Sequence, residues 1–407
     1  MKKIKILVTA STFPLFKNDS TPRFILDICR SIKEIAKFEC LVLVPHAKGS
    51  KVREKIEDIE IKRYIYMYPY SLEKISGSGI MSKIKKNRLL FLLVPFFLFS
   101  QLLFTILTIK NYKPDILLAN WIIPQGFIAT LTKLFFPRIR IILIAHGGDI
   151  GILERNIFLR FIGKIILRKV DKFIAICNLF KNKIIKITNL KDKEIPIIPL
   201  GINDNIFEKI ISIRKKINHN TKTLLFVGRL EEKKGICFLL KAMKEVVEKH
   251  PDVVLKIVGD GTLRDEMINL SKRLNLFKNI VFIGAISHSQ LPSYFDEALV
   301  FIAPSIDLKD DFEAIPRTIL EAAAARVPII ATNAGGITDF IENGVTGIIV
   351  PQKSIKELSE KIIELIENET LREILAKKAY EKLKKEFTLS ITGYRIQRII
   401  NEVMTNK

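Results

Sequence analysis

The chain has 407 residues, 48% apolar, 9% aromatic and 27% charged, which predicts two or three globular domains and excludes a disordered protein. Its four cysteines form no CxxC pair, so neither a disulfide framework nor a cysteine zinc site is indicated, and we expect a reduced protein. The net charge of +23 is uneven, since residues 1–200 hold 35 Lys and Arg against 15 Asp and Glu while 201–407 hold 31 against 28, and the basic half predicts a polyanionic partner.

Short apolar runs alternate with helical segments through the first half of the chain. The runs predicted to be strands are Ile4–Ala10, Cys40–Pro45, Asp115–Trp121, Arg140–His146, Lys172–Cys177 and Ile195–Leu200. Between the first two, apolar residues recur at helical spacing within 21–37. Apolar strands separated by helices favour a parallel sheet covered on both faces, so we predict one doubly wound domain over residues 1–201. The short stretch before the first strand is not typical of a secretory signal.

The segment Leu89–Ile109 has no charged residue over 21 positions, enough to span a bilayer. Its polar residues share one side of a helix: Ser100, Gln101, Thr105 and Thr108. Basic residues flank it on both sides: Lys83, Lys85, Lys86, Arg88, Lys110 and Lys113. We expect the helix to lie partly on the sheet and partly at an anionic membrane surface, with residues 83–113 and the basic N-terminal half making the contact. A fully buried helix and a spanning helix are the alternatives.

A second α/β series follows a polar stretch at 202–221, interpreted as a linker. The predicted strands are Thr223–Val227, Val254–Val258, Ile280–Ile283, Leu299–Ala303, Pro328–Thr332 and Gly347–Val350. Helices are expected at Ile355–Glu367 and Thr370–Phe387. Residues 202–387 therefore read as a second Rossmann-like domain, and the last helix, about 388–407, is expected to pack back on the first. The predicted architecture is two Rossmann-like domains with parallel sheets facing a central cleft.

The stretch from Asp311 to Gly347 carries two acids, Glu313 and Glu321, with Pro316 between them, where a helix can begin. A helix N-terminus favours an anion such as a phosphate, and carboxylates beside it accept bonds from hydroxyls. This pattern predicts a site for a sugar attached to a phosphate. The alternative is an ordinary helix with Glu321 in solvent.

The second domain opens with GRLEEKKG, which places Arg229 and Lys234 just after a strand. Two cations at a strand end fit a diphosphate clamp and would stabilise the charge that develops on a leaving group, although a solvated basic loop is the alternative. After the next strand, Gly259 permits close backbone approach, but the full GxGxxG fingerprint of a dinucleotide site is absent from the sequence.

In the first domain, the strand ending at Ala145 is followed by His146-Gly147-Gly148-Asp149. A histidine at the carboxyl end of a strand, beside two glycines, is well placed to bond a ligand hydroxyl. Asp149 is expected either to hold the imidazole or to cap the next helix. A structural role for His146 is the alternative, and the other histidines are interpreted as structural or surface residues.

Taken together, these motifs resemble glycosyltransferase family 4. Glu313 to Glu321 matches the EX7E signature, and GRLEEKKG, HGGD and NAGGITDFIENGVTGIIVP match further family segments. The resemblance implies the GT-B fold and transfer of a hexose from a nucleoside-diphosphate sugar with retention and without a metal or other cofactor. It implies that Arg229 and Lys234 bind the diphosphate, Glu321 the ribose and Glu313 the sugar, with His146 near the reacting carbon. The remaining candidates are Gly228, Gly259, Ile315 and Pro316 on the donor side and Phe13, Trp121 and Asp149 on the acceptor side.

Similarity to members that build surface glycans implies a lipid-linked or glycan acceptor and a cytoplasmic enzyme peripheral to the inner face of the cell membrane. Three positions depart from the family pattern: Ala314 stands where Gly is common, Asp339 where Glu is usual and Asn120 where His is common. A sugar-nucleotide epimerase or hydrolase on the same fold is an alternative. A nucleic-acid-binding protein is disfavoured, because no nucleic-acid motif accompanies the basic half.

Overall fold

The computed structural model describes residues 3–16, 19, 23–35, 38–77, 80, 83–84, 87–189, 195–203, 222–309 and 311–405. The chain forms two compact units. The first comprises Met1–Ile176, Phe180–Ile198 and Thr392–Lys407, and the second comprises Cys177–Leu179 and Pro199–Ile391. Apart from residues 202 and 203, the predicted linker at 202–221 lies outside the described residues.

The first unit is built on a seven-stranded sheet. Its strands are β1 (Ile4–Thr9), β2 (Phe38–Pro45), β3 (Arg53–Ile56), β4 (Ile59–Tyr64), β5 (Ile116–Asn120), β6 (Arg140–Ala145) and β7 (Lys172–Ala175). They lie in the order β3-β4-β2-β1-β5-β6-β7, and every neighbouring pair is parallel except β3 with β4. Five predicted strands are confirmed. The prediction for Ile195–Leu200 is wrong, since only Ile197 makes an isolated bridge to Ala175 and Pro196 and Pro199 have no N–H to donate.

The β3–β4 hairpin is absent from the sequence prediction. Its turn residues Glu57 and Asp58 have φ angles of 47° and 66°, the positive values that a tight hairpin turn needs. β3 has one apolar residue, Ile56, and lies at the sheet edge, where one side of the backbone stays unpaired in the unit, while β4 alternates the apolar Ile59 and Ile61 with charged residues. A search for apolar runs therefore passes over them.

The helices of the first unit complete the crossovers between these strands. They are α1 (Phe24–Ile35), α2 (Val94–Tyr112, after a 3₁₀ turn at Arg88–Leu93), α3 (Phe127–Thr132), α4 (Gly148–Arg155), α5 (Ile157–Lys169) and α6 (Asn178–Thr188). The steps from β4 to β5, β6 and β7 all run in one direction, and right-handed crossovers then place their helices on the same face of the sheet. In agreement, α2 contacts α3 and α3 contacts α5.

Helix α2 turns its polar side inward. Ser100, Gln101, Thr105 and Thr108 are buried, and Ser100 Oγ donates to the carbonyl of Ile65 at 2.5 Å. The outward side of α2 and of the 3₁₀ turn before it is apolar and exposed: Leu89, Phe91, Leu92, Phe96, Phe99, Leu103 and Leu107. By length and composition, Arg88–Tyr112 could span a membrane. Of its most apolar window, 22% is buried inside the protein. The fully buried alternative is therefore wrong.

The second unit contains a six-stranded parallel sheet. Its strands are β8 (Thr223–Val227), β9 (Val254–Val258), β10 (Ile280–Gly284), β11 (Val300–Ala303), β12 (Ile329–Thr332) and β13 (Ile348–Val350). All six predicted strands are confirmed, in the order β10-β9-β8-β11-β12-β13. The helices are α7 (Ile236–Lys249), α8 (Arg264–Arg273), α9 (Leu291–Asp296), α10 (Arg317–Ala324), α11 (Ile337–Phe340), α12 (Ile355–Glu367) and α13 (Glu369–Glu386). Apolar cores cover both faces of the sheet. The last helix, α14 (Leu389–Thr405), groups with the first unit from Thr392.

Candidate functional site

The strand order of the second unit reverses between β8 and β11. In an open parallel sheet, such a reversal opens a crevice at the carboxyl ends of the two strands, where ligands bind. The β8–α7 loop carries Arg229 and Lys234, and the loop between β11 and α10 carries Glu313. The fold thus brings together at one crevice residues that lie about 80 positions apart in the chain.

Glu313 and Lys234 join these two loops. Lys234 Nζ lies 2.9 Å from Glu313 Oε1, and Lys233 Nζ lies 3.8 Å from the same oxygen and 3.0 Å from Asp311. Both Glu313 and Lys234 are mostly buried. Oε1 makes no aligned hydrogen bond among the described residues, so the pair is held by charge at close range and keeps bonding capacity for a ligand hydroxyl.

The backbone of Glu313 is supported by the glycine pair after β12. Gly336 N donates to the carbonyl of Glu313 at 3.0 Å. Gly335 has φ of 59°, and a Cβ there would collide with the same carbonyl oxygen, so the close approach requires glycine. Ala314 is not among the described residues with positive φ, so replacing the common Gly at this position imposes no left-handed strain.

Gly228 and Gly259 form a second close backbone contact beside the crevice. Gly228 N donates to the carbonyl of Val258 at 3.0 Å, and Gly259 N donates to that of Gly284 at 2.8 Å. Gly259 has φ of 132°, and a Cβ there would collide with the Gly228 carbonyl oxygen. The predicted close approach at Gly259 is confirmed, and it is an approach of two loops of the protein.

Helix α10 begins at Arg317, one residue after the expected start, because Pro316 is its N-cap with ψ of 128°. Ile315 is half-buried and packs against the core. Glu321 lies on the second turn, as predicted, and it is buried rather than solvated. Its Oε1 lies 2.9 Å from His288 Nε2, a partner that the sequence did not indicate.

Arg229 differs from Lys234 in its surroundings. Its side chain is 67% exposed, and Nη1 lies 2.7 Å from Glu231 Oε1 within the same loop. An exposed guanidinium paired with a carboxylate of its own loop can turn toward an incoming diphosphate at little cost, since surface ion pairs contribute about 0–1 kcal/mol. One cation of the predicted clamp is therefore fixed and the other is exposed.

In the first unit, His146 lies at the end of β6 between two aromatic rings. The ring centroids of Phe24 and Trp121 are each 4.9 Å from that of the imidazole, and Nε2 lies 3.0 Å from Asn120 Oδ1. Burial lowers the pKa of His146 from 6.5 to about 3, so the ring is neutral at physiological pH. With Nε2 donating to Asn120, Nδ1 is a buried acceptor that has no partner in the described part of the chain.

Of the two roles expected for Asp149, contact with the imidazole is wrong, whereas its carboxylate does accept a backbone N–H in the first turn of α4, that of Ile150. The carboxylate accepts backbone N–H bonds from Ile122 at 2.8 Å, Gly147 at 3.0 Å and Ile150 at 3.1 Å. Burial raises the pKa of Asp149, while these donors act to lower it. Asp149 thus fixes the backbone around His146, and Asn120 orients the ring. Of the other acceptor-side candidates, Phe13 is buried and Trp121 is half-buried.

Family models match both halves of the chain. The model of glycosyltransferase family 4 matches residues 22–206, and that of the glycosyl transferases group 1 matches residues 208–382. An uncharacterized glycosyltransferase of Methanocaldococcus jannaschii is 30% identical over 279 residues, which cover 68% of this chain and 72% of that protein. The chain belongs to the group 1, family 4 glycosyltransferases.

This family 4 glycosyltransferase has further relatives. The capsular polysaccharide biosynthesis glycosyltransferase CapM of Staphylococcus aureus is 30% identical over 248 residues, 58% of this chain and 63% of that protein. Among solved structures, sucrose-phosphate synthase from Thermosynechococcus elongatus has a TM-score of 0.79 at 17% identity, with complete coverage of both chains. Anabaena HepE in complex with UDP has a TM-score of 0.71 at 17% identity, covering 98% of this chain and all of that one. The predicted GT-B fold class is confirmed.

Proposed function

We propose that this glycosyltransferase moves a hexose from a nucleoside-diphosphate sugar to an acceptor with retention at the anomeric carbon. The observation that carries the proposal is the Lys234–Glu313 pair at the reversal of strand order in the second unit. A cation and a carboxylate in contact at one crevice match a donor in which a diphosphate adjoins a sugar ring. The HepE structures, solved in complex with UDP and with UDP-glucose, support a donor of this class.

In the proposed reaction, Lys234 and Arg229 bind the diphosphate and stabilise the charge that develops on it as the glycosyl bond breaks. These two positive charges stand in place of a metal ion. Glu313 accepts bonds from the sugar hydroxyls, and Glu321 accepts them from the ribose, in exchange for its contact with His288. The acceptor hydroxyl attacks from the side of the leaving group and passes its proton to the departing phosphate. A His146 whose pKa is lowered to about 3 is a weak base, so this proton is assigned to the phosphate rather than to the ring.

We propose further that the acceptor is a lipid-linked sugar or a glycan of the cell surface. The name of CapM, a capsular polysaccharide glycosyltransferase, supports a polysaccharide product. A lipid-linked acceptor requires an enzyme that stays near a membrane, and the apolar outward side of α2 supports that position. Strands β4 and β5, on either side of α2, belong to one sheet, which favours a helix lying on the inner face of the membrane over one that crosses it.

Helix α5 carries a second exposed apolar stripe on the same face of the sheet as α2: Ile157, Phe158, Phe161 and Ile165. Lys164 and Lys169 lie to either side of this stripe at helical spacing. An apolar stripe between cations is the pattern of a helix that enters the interface of an anionic membrane. The two helices together support peripheral attachment through the first unit on the cytoplasmic side.

The donor is tested by screening sugar nucleotides for an increase in the melting temperature, since a ligand of the folded state stabilises it. The best ligand is then incubated with acceptor glycans in the presence of EDTA, and the anomeric configuration of the product is determined by NMR. We expect transfer with retention that EDTA does not abolish. Sugar release at equal rates with and without acceptor indicates a hydrolase, conversion of the donor alone indicates an epimerase, and inversion contradicts the proposed chemistry.

A further inference from the structure

A groove of about 750 Å³ lies at the amino-terminal edge of the first unit's sheet, the edge opposite to His146. It is bounded by the end of α2, the segment between α3 and β6, and Met404 on α14. This volume is within the range of small-molecule sites, which is about 300–1,000 Å³. None of the candidate glycosyl-transfer residues lines the groove, so it is separate from that site.

The groove is cationic. Lys110, Lys113 and Arg138 line it, are exposed and have no ion-pair partner among the described residues. Arg140 also lines it, with Nη1 3.2 Å from Asp171 Oδ1. The acid in the lining, Asp115, accepts the backbone N–H of Lys5 at 2.9 Å. The excess of positive over negative side chains around this cavity indicates an anionic ligand.

The walls of the same groove are apolar. Ile109, Phe135 and Phe136 line it together with Met404. Phe135 is exposed, as are Leu134 beside it and Leu107, one turn before Lys110. The groove therefore continues into the exposed apolar side of α2. A ligand that satisfies both features has a phosphate at one end and a hydrocarbon chain at the other.

We propose that this groove binds the headgroup phosphate of an anionic membrane phospholipid, with Lys110, Lys113 and Arg138 around the phosphate and the upper acyl chain against Phe135 and Phe136. The proposal rests on the membrane attachment proposed above and adds a defined lipid site to it. Charge complementarity and the continuity of the groove with the α2 surface favour a bilayer lipid over a soluble anion. The site holds the first unit at a fixed position on the membrane, because it joins one headgroup to the end of α2.

The test uses the full chain and a triple variant, Lys110→Gln, Lys113→Gln and Arg138→Gln. A matched control, Lys48→Gln, Lys51→Gln and Arg53→Gln, removes the same charges around β3, at the far edge of the same sheet. Binding is measured by sedimentation with vesicles of phosphatidylglycerol in phosphatidylcholine and of phosphatidylcholine alone. We expect the groove variant to bind phosphatidylglycerol vesicles at least about tenfold more weakly than the control, because only the groove variant loses the cations that contact the headgroup phosphate.

Three further measurements decide the source of the anion. Short-chain phosphatidylglycerol below its micelle concentration is expected to raise the melting temperature of the wild type and the control but not of the groove variant, and inorganic phosphate is expected to have little effect. Three outcomes would each overturn the proposal. The two triple variants could lose vesicle binding equally, or inorganic phosphate could raise the melting temperature as much as short-chain phosphatidylglycerol does. The third is binding of single-stranded RNA by the wild type and the control that the groove variant alone has lost. Glycosyl transfer to a water-soluble acceptor is expected to be unchanged in both variants, so failure of the lipid site is distinguished from failure of the proposed reaction.

Discussion

Lys234 Nζ lies 2.9 Å from Glu313 Oε1, and this contact connects the loop after β8 to the loop after β11. The two strands are neighbours at which the sheet order reverses, so the pair spans the entrance of the crevice. In the free protein each charge compensates the other in a mostly buried position. A donor could bind Lys234 through its diphosphate and Glu313 through its sugar hydroxyls. Two contacts with the ligand would then replace the Lys234–Glu313 contact, and neither buried charge would lack a partner.

Removing one member of this pair is expected to destabilise the second unit and to abolish transfer. Glu313→Gln removes the counter-charge of Lys234, and Lys234→Met leaves Glu313 with the more distant Lys233 at 3.8 Å, whereas the double variant removes both charges of the pair. A double-mutant cycle on urea unfolding is expected to give a coupling energy of about 1–3 kcal/mol. The more exposed pair Lys361 and Glu364 on α12 serves as the control, with an expected coupling below about 1 kcal/mol. Additive effects in the Lys234–Glu313 cycle would show that the contact contributes no stability.

Glu321 and His288 allow the ribose contact to be tested separately. Glu321→Gln removes the charge of a buried acceptor, and it is expected to weaken the best sugar nucleotide about 10- to 150-fold, the range for hydrogen bonds to a charged group. His288→Ala removes the partner of the free state and is expected to change the affinity less than about fivefold. Isothermal titration calorimetry measures both, with Glu360→Gln at an exposed position of α12 as the control. An equal loss for His288→Ala would assign the nucleotide contact to the histidine.

The sequence predicted the second unit closely because its strands are short, buried on both faces and separated by amphipathic helices. All six strands agree to within one residue at each end, and Ile355–Glu367 agrees at both ends. The β3–β4 hairpin was not predicted because neither strand contains an apolar run. β3 is an edge strand with one apolar residue, and β4 alternates apolar with charged residues. Ile195–Leu200 shows the opposite error, because an apolar run with two prolines cannot form a ladder.

At the site, the motifs identified the residues but not their partners. The expected helix start at Pro316 puts Glu313 in the loop before α10 and Glu321 on its second turn, whereas the contact of Glu321 with His288 joins residues 33 positions apart and depends on how the β10–α9 loop meets α10. Asn120 stands where the family often has histidine, and the structure shows that its side chain bridges His146 Nε2 and the carbonyl of Thr9 at 3.2 Å. The order of strands β1 and β5 in the sheet, which brings Asn120 beside Thr9, is not encoded in any local pattern.

The depressed pKa of His146 predicts a dependence of stability on pH. Between pH 6.5 and about 3 the unfolded chain binds a proton that the folded ring does not, so the unfolding free energy falls as the pH falls through this window. Above pH 6.5 the ring is neutral in both the folded and the unfolded chain, so this loss of stability is absent there. From pH 7 to pH 5 the loss due to this ring is expected to be about 1–2 kcal/mol, allowing for the part of the ring that water reaches.

Urea unfolding of the wild type and of His146→Gln at pH 7, 6 and 5 measures this effect. The variant is expected to lose less stability over the range, so the two curves approach each other as the pH falls. Asn120→Asp provides a directional control, because a carboxylate beside Nε2 favours the charged ring and is expected to raise the pKa of His146. Parallel curves for wild type and His146→Gln would mean that the ring titrates alike in the folded and unfolded states.

The exposed apolar side of α2 predicts membrane binding, and substitution of one aromatic residue on that side tests it. Phe99 is 69% exposed on α2, and Phe277 is 62% exposed in the second unit, which makes the two substitutions to Asp a matched pair. Phe99→Asp is expected to weaken binding to anionic vesicles at least about tenfold, since burying a Phe side chain contributes about 1.5–3 kcal/mol. Phe277→Asp is expected to have no effect. Phe97 is unsuitable for this test because it is buried against Tyr64 and Tyr66, where a charge would disrupt the core.

The same vesicles separate a helix at the interface from one that spans the bilayer. A helix whose buried side carries Ser100, Gln101, Thr105 and Thr108 against the sheet presents only its outer side to lipid, so alkaline carbonate is expected to release the protein. Binding is also expected to fall as salt rises from 0.05 to about 0.5 M, because cations flank the apolar surface. Retention after carbonate would require α2 to leave the sheet and expose its polar side to hydrocarbon. In that case β4 and β5, which α2 joins, should show faster amide hydrogen exchange, because the helix no longer packs on the sheet.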